Sequence, residues 1–462
     1  MYMILIFKTL RFIFKIISKI IFLKIPVFGL IHILSLLFLF ITVFFARWIR
    51  KFKKCHLKKP RLFFGPIPLI NNKYYALALR KKNFKCETVM MGYFSTINKQ
   101  DDFDRYLPDY AFGRFKFIYY LSKHFEGITL YFCFIRMIFD FDIFHFSFFG
   151  GPLNTTILKN MEAQMIRWCG GKTVILPYGA DIYAYSSVIN KSWTHTLLTH
   201  YPYFGKNEHI IDKQVKYWSR HADAIIAGMQ IDGLGRWDVL PFRAECVDVE
   251  QWKPRKTYST YDGKNGCVYV VHAPNHRFIK GTEYLLEAVR KLREEDQLLV
   301  EVILIEKKQN TVVKEVLENK ADILFDQLIL GYAMFAIEGF ATGLPVITNL
   351  ENDDYVRVFR RYSYLNECPA VSASHETLYD VLKKLVTRPD LRKSLGIASR
   401  QYAEKYHSFN TVQALFEKLY DKIWFNEPDV DLMNFFHPLL PESYNNQSEK
   451  IKHPLVENKI ID

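Results

Sequence analysis

The sequence predicts an α/β protein: two Rossmann-like domains facing a cleft, preceded by N-terminal membrane helices. Three observations predict it. Short apolar runs alternate with helix-period segments from Leu62 to about Trp424. The alternation pauses at 241–254, where prolines bracket a stretch of no clear period. Residues 1–61 hold 13 Lys and Arg, no acid, and a twenty-residue apolar run.

The elements follow in chain order. Lys8, Arg11, Lys15 and Lys19 are spaced to share one face of a helix, with Ile, Phe and Leu on the others, so 4–25 reads as an interfacial helix with its cations toward lipid head groups. Val27 to Ala46 carries no formal charge and as a helix is about 30 Å long, enough for a spanning helix or a shallow hairpin. Pro26 and Gly29 mark a bend between the two. A basic linker completes the membrane-attachment region, 1–61, and the catalytic body is expected on the cytoplasmic side. Of the 62 Lys and Arg, 49 lie beyond residue 61 against all 48 acids, so the body is near neutral and nucleic acid is not an expected partner.

The N-terminal domain spans 62–240. Its strands are LFF, CETVMMG, FDIFHFSFFGG, GKTVILPYGAD and HADAIIAG, with a helix over KYYALALRKKNF. An interdomain linker, 241–254, leads to the C-terminal domain, 255–425. There CVYVVHAP, VEVILIE, ADILFDQL, LPVITNL and PAVS are strands, and a helix starts at Thr282 with Leu285, Leu286, Val289 and Leu292 on its apolar face. A helical region from Ser374 to Trp424 breaks near Pro389. Residues 426–462 read as a loosely packed tail. Seven scattered cysteines without a CxxC argue for a reducing compartment and against a zinc ribbon, and no metal is expected.

Ligands of such sheets sit at the carboxyl ends of the strands. Arg277 and Lys280 follow one strand end, just before Gly281 and a helix start. Cations and helix N–H groups there can stabilise charge developing on a departing phosphate; a solvated basic loop is the plain alternative. Glu338, near a helix start, can accept two ribose hydroxyls or simply suit the helix dipole. Gly331 and Tyr332 form a turn whose backbone N–H groups can meet a sugar or phosphate, or serve as an ordinary strand–helix turn. Asp326 and Gln327 read as structural. Asp181, in the Tyr178-Gly179-Ala180-Asp181 loop, can hold a sugar hydroxyl or cap a helix. His145 reads as a satisfied core histidine. No HExxH, GxSxG, P-loop or GxGxxG occurs, so the corresponding reactions have no support.

HAPNHRFIKGTEYLLEA, DQLILGYAMFAIEGFATGLPVI and RPDLRKSLGIASRQYAEKYHS resemble the GT-B glycosyltransferases of the "glycosyl transferases group 1" family over 267–425, with a weaker likeness over 62–240. The resemblance implies Arg277 and Lys280 on the donor phosphates as the catalytic pair. It implies Glu338 on the nucleotide ribose, with Gly331, Tyr332 and Gly281 around the donor and Asp181 and Gly179 on the acceptor or sugar side. It implies a retaining, metal-independent transfer with no cofactor beyond the nucleotide-sugar substrate, the departing phosphate taking the acceptor proton. The N-terminal helices add a glycolipid or lipid-linked glycan as the acceptor. Leu330 stands where the family has a second acid and Tyr178 where it has a histidine. These departures motivate one rival, an inactive GT-B module that binds glycan or acts as a scaffold; a further rival is a GT-B-fold sugar-nucleotide epimerase.

Overall fold

A computed structural model describes residues 21–54, 59–95, 98–112, 126–228, 233–242, 244–329, 331–351, 356, 364–437 and 439–457, with the backbone alone at 21–33, 53–54, 112, 126–128, 364, 445, 447, 456 and 457. The interfacial helix expected over 4–25 lies outside the described residues up to 20, as do part of the basic linker and Leu330.

The first sheet has six parallel strands: β1 (Leu62–Phe64), β2 (Cys86–Met90), β3 (Arg105–Tyr106), β4 (Ile143–Phe146), β5 (Lys172–Ile175) and β6 (Ala224–Ile225), in the order β3-β2-β1-β4-β5-β6. That is the Rossmann order, with its reversal between β1 and β4. The strands are apolar on both faces because helices cover both. Phe63 pairs in register with Phe144 and touches the rings of Phe141 and Phe146, so aromatic side chains fill the space beside the central strands. The second sheet has five parallel strands: β7 (Val268–His272), β8 (Val300–Leu304), β9 (Ile323–Gln327), β10 (Val346–Thr348) and β11 (Val371–Ser372). Their order is β11-β10-β9-β7-β8, reversing between β7 and β9.

Two expectations need correction at the ends of the chain. The helix α1 (Ile21–Lys54) runs on through Pro26 and Gly29, so these residues do not separate two helical segments. Among the described residues no helix is long and apolar enough to cross a membrane. Instead α1 packs lengthwise on α3 (Glu126–Asp140), which follows α2 (Ile70–Lys81) and a short helix over Leu107–Phe112, and on α4 (Glu162–Trp168). Leu39, Val43, Ala46 and Arg50 recur every three or four residues and are buried together. The Arg50 guanidinium donates to the carbonyl oxygens of Cys169 (2.7 Å), Ile138 (2.6 Å) and Phe141 (2.5 Å) and to Asp142 Oδ1 (3.2 Å). Burial favours the protonated form of Asp142, but the Arg61 and Arg50 guanidiniums outweigh it and hold the carboxyl below its ordinary range. A cation seated so deeply in protein fixes this end of α1 to the domain.

The tail is not loosely packed. Leu432, Phe436 and Leu455 are buried, and Phe436 meets Phe242 and Tyr406 ring to ring. The second-domain helices α11 (Leu378–Thr387) and α12 (Pro389–Tyr406), preceded by α5 (Lys191–His200), α6 (Glu208–His221), α7 (Arg277–Lys280), α8 (Thr282–Glu294), α9 (Asn310–Asn319) and α10 (Met334–Ala341), end at a second break before α13 (Phe409–Tyr420). That last helix crosses to the first domain: Gln413 Nε2 donates to the Ala78 carbonyl (2.7 Å) and Tyr420 Oη lies 3.0 Å from His145 Nε2. His145, on β4, is buried, with Nδ1 3.0 Å from the Phe63 carbonyl and its ring stacked on Phe64. It is a core histidine, as read, and burial depresses its pKa to about 3.

Candidate functional site

In the second sheet the strand order reverses between β7 and β9, and the loops after these two strands contain the donor-side residues singled out above. His272 ends β7. Its Nδ1 lies 2.9 Å from the Phe325 carbonyl, which assigns the proton there, and Nε2 accepts from Thr282 Oγ at 2.8 Å. Burial pushes its pKa down to about 3, so the ring stays neutral. Thr282, expected as a helix cap, is thus the first residue of α8 and ties that helix to β7 and β9 through the imidazole.

The chain between β7 and α8 makes the single turn α7 and closes on Gly281 at φ 80°. A Cβ there would lie 3.1 Å from the Leu328 side chain, so glycine meets both the left-handed backbone and the tight approach. Lys280 leaves this turn toward the end of β9. Its Nζ lies 2.8 Å from Gln327 Oε1 and 3.4 Å from Asp326 Oδ1. Asp326 is buried, and its other oxygen accepts the Ala333 N–H at 2.7 Å, which sets the start of α10. Asp326 and Gln327, read from sequence as structural, therefore aim Lys280. The Lys280 side chain keeps 13% exposure, so its third proton remains within reach of a ligand.

Glu338 lies in the second turn of α10, not at its start, and the dipole explanation loses its basis. It is buried and receives one hydrogen bond among the described residues, from Asn310 Nδ2 at 2.6 Å. Burial raises its pKa to about 8; the Asn310 bond opposes the rise and the Asp326 charge adds to it. Lys280 pairs with Asp326, whose charge also reaches Glu338. Tyr74 of α2 also feels the Glu338 charge and is hydrogen-bonded to Trp252, so this corner lies against the first domain.

Arg277 behaves differently. It starts α7 but turns to the β8 side, its guanidinium paired with Glu283 (2.9 Å) and Glu306 (3.2 Å). The Glu283 bond leads in raising its pKa. Gly331, at φ 50°, has its carbonyl occupied by Gln327 Nε2 (3.0 Å) and by the Thr348 hydroxyl. The Tyr332 side chain leaves for the interior, where its hydroxyl meets His407 Nε2 (2.8 Å) and Tyr402. Only backbone remains of that turn for a ligand.

On the first-domain side, Asp181 is spent. Its Oδ1 accepts from the Tyr178 and Gly179 N–H groups (2.9 and 3.1 Å) and its Oδ2 from the Phe148 N–H (2.8 Å). It is neither a helix cap nor an open ligand; it clamps the loop after β4 to the loop after β5. Burial lifts its pKa to about 6 and the backbone donors oppose the rise. Gly179, at φ 125°, gives this turn its backbone. Sequence reasoning missed a second clamp, Glu162, which accepts from the Gly151 and Leu153 N–H groups at 2.9 and 3.0 Å. A Cβ on Gly151 would sit 2.6 Å from that carboxylate, so the glycine pair after β4 was the available signal. Asn310 was missed as well, and no spacing rule links it to Glu338.

The domains meet above the Lys280 turn. His200, ending α5, stacks on Phe278 (4.4 Å, 8°), and Tyr201 meets the edge of His276 (5.2 Å, 87°). These contacts bring the turn that carries Lys280 against the end of α5 in the first domain. Among the described residues no group of three or more His, Cys, Asp or Glu is placed to hold a metal.

No protein-family profile and no curated protein matches the sequence. Solved structures with a related arrangement include a sucrose-phosphate synthase from Thermosynechococcus elongatus (10% identity, 80% of this chain and 100% of that one, TM-score 0.46). A putative UDP-N-acetylglucosamine 2-epimerase from Listeria monocytogenes overlaps at 12% identity, 81% and 99% coverage and TM-score 0.44. A spinosyn forosaminyltransferase overlaps at 12% identity, 78% and 99% coverage and TM-score 0.40. Overlaps this loose carry no conclusion about activity.

Proposed function

We propose that this chain is a GT-B glycosyltransferase that moves a sugar from a nucleotide sugar to a glycolipid or lipid-linked glycan. The observation that supports it best is Lys280 held by Asp326 and Gln327 at the strand-order reversal of the second sheet, with the buried Glu338 on the helix that follows the same strand and against the first domain. A nucleoside diphosphate laid there puts its phosphates near the ammonium and its ribose near the carboxyl. As the sugar–phosphate bond breaks, negative charge grows on the diphosphate, and a pre-aimed ammonium in a partly dry crevice stabilises it most where charge is greatest. Positioning then carries much of the remaining barrier. The sugar leaves with retention, the departing phosphate takes the acceptor proton, and no metal or cofactor enters. Arg277 belongs to this site if a diphosphate competes with Glu283 and Glu306 for its guanidinium. The body lies on the cytoplasmic face of a membrane.

The test is direct. Solubilised protein is incubated with a panel of nucleotide sugars, with and without membrane lipid extract, and nucleoside diphosphate release is followed. Release that depends on the extract supports the transferase. Conversion of the donor without any acceptor identifies an epimerase instead. No turnover across the panel, with nucleotide or glycan still bound, identifies the inactive module.

A further inference from the structure

The face of α1 turned away from the protein is the most apolar exposed surface described. Leu37, Phe38, Ile41, Phe44, Phe45 and Trp48 are each more than half exposed, at 51–67%. Phe52 extends the row, and Trp48 meets both Phe45 (6.1 Å) and Phe52 (4.9 Å). The surface widens beyond the helix. Phe38 lies 6.4 Å from the half-exposed Phe132 of α3, and Phe44 stacks at 6.4 Å on Trp168 of α4. A patch of this breadth needs a covering partner.

Charge indicates which one. Arg47 and Lys51 are exposed on either side of Trp48, and residues 1–61 hold 13 cations without an acid. The twenty residues preceding α1 add four of those cations and are otherwise largely Ile, Phe and Leu. A second copy would bring an equally cationic segment against this one. An anionic lipid surface complements both the charge and the aromatic ridge, since tryptophan and basic side chains favour the level of the head groups. The buried Arg50 excludes a crossing orientation for this part of the helix, because its guanidinium is held by three carbonyls and Asp142 inside the domain.

We propose that the outer face of α1, continued by Phe132 and Trp168, lies flat on an anionic bilayer, its aromatic ridge immersed to head-group depth while Arg50 keeps the helix on the protein. This deepens the membrane attachment in the proposed function by naming its surface, and it is tested without donor or acceptor, so it can fail or succeed apart from the transferase reading. The full chain is floated with vesicles of phosphatidylcholine alone or with one-third phosphatidylglycerol. The expected result is tenfold or greater enrichment on the anionic vesicles. Phe44→Glu/Trp48→Glu should abolish it with the circular-dichroism spectrum unchanged, and Arg47→Glu/Lys51→Glu should remove the preference for the anionic lipid. Trp48→Ala, which leaves every buried contact intact, should weaken binding several-fold even if the double variant misfolds. Equal flotation of the parent and the Trp48→Ala and Phe44→Glu/Trp48→Glu variants would overturn the proposal. So would a dimer, seen on sizing the parent without lipid, that Phe44→Glu/Trp48→Glu splits, since a second copy would then be the occupant.

Discussion

Two buried acids, one on each wall of the cleft, look alike in sequence and differ in what they have left to give. Asp181 accepts three backbone N–H groups and holds two loops together. Glu338 accepts a single amide, from Asn310. Burial raises both, to about 6 and about 8, and the smaller rise belongs to the acid with more donors. A carboxyl whose oxygens are filled by backbone is part of the scaffold. One held by a single side chain keeps acceptor capacity for a ligand, and its pKa reports that deficit. The first-domain wall is thus built from clamps, Asp181 and Glu162, and the second-domain wall presents groups with bonding capacity, Lys280 and Glu338.

Four experiments can break this contrast or sharpen it. The largest effect is expected from Lys280→Ala, which should lower nucleoside diphosphate release about 100-fold or more, the scale of losing one preorganised charge donor; Lys280→Arg should recover part of it, and unchanged initial rates would remove this wall from the chemistry. Asp181→Asn comes next. Its amide can accept from one loop but turns an N–H toward the other, so about 1–3 kcal/mol of stability should be lost, read as a fall in Tm. If turnover fell with Tm intact, Asp181 would be a ligand and not a clamp. Arg277→Ala should reduce turnover about tenfold while Tm barely moves, because partly exposed ion pairs stabilise by only about 0–1 kcal/mol; Tyr178→Phe should change neither.

The last test concerns pH. Glu338 is raised in the folded protein from an ordinary value of 4.5 to about 8. The folded state therefore binds more protons than the unfolded chain between those values, and stability falls as pH rises through that window, levelling off above it. Glu338→Gln removes the titration, so the variant should gain Tm relative to the parent from pH 5 to 8. Parallel Tm profiles would mean that the carboxyl is ionised at neutral pH.

How much of this was legible in advance depended on whether a feature is local. Runs such as VYVVH, VILIE and ILFDQ showed the strands because a parallel sheet covered on both faces is apolar throughout. The two-residue β3 and the helix α3 left no comparable trace, the latter because its surroundings are aromatic in every direction. Lys280 was readable from the strand–turn–glycine pattern that aims it. The pairing of Arg277 with Glu283 and Glu306 was not, since Glu306 is supplied by the end of another strand. The clamp made by Asp181 was not legible for the same reason: its third donor, Phe148, is 33 residues away. The apolar run of α1 reads as a membrane segment, spanning or a shallow hairpin, because hydropathy has no knowledge of Arg50's partners, which lie 88 to 119 residues on.

The return of α13 to the first domain carries a consequence for biogenesis. The Ala78 carbonyl of α2 and the His145 ring of β4 find partners, Gln413 and Tyr420, that leave the ribosome more than 270 residues later. The N-terminal half of the nascent chain is thereby short of one of its walls until synthesis is nearly complete, and a cooperative transition must wait for the last helix. A fragment ending at residue 240 should expose the α2 surface and aggregate, whereas co-expression with a peptide spanning 409–425 should restore its solubility.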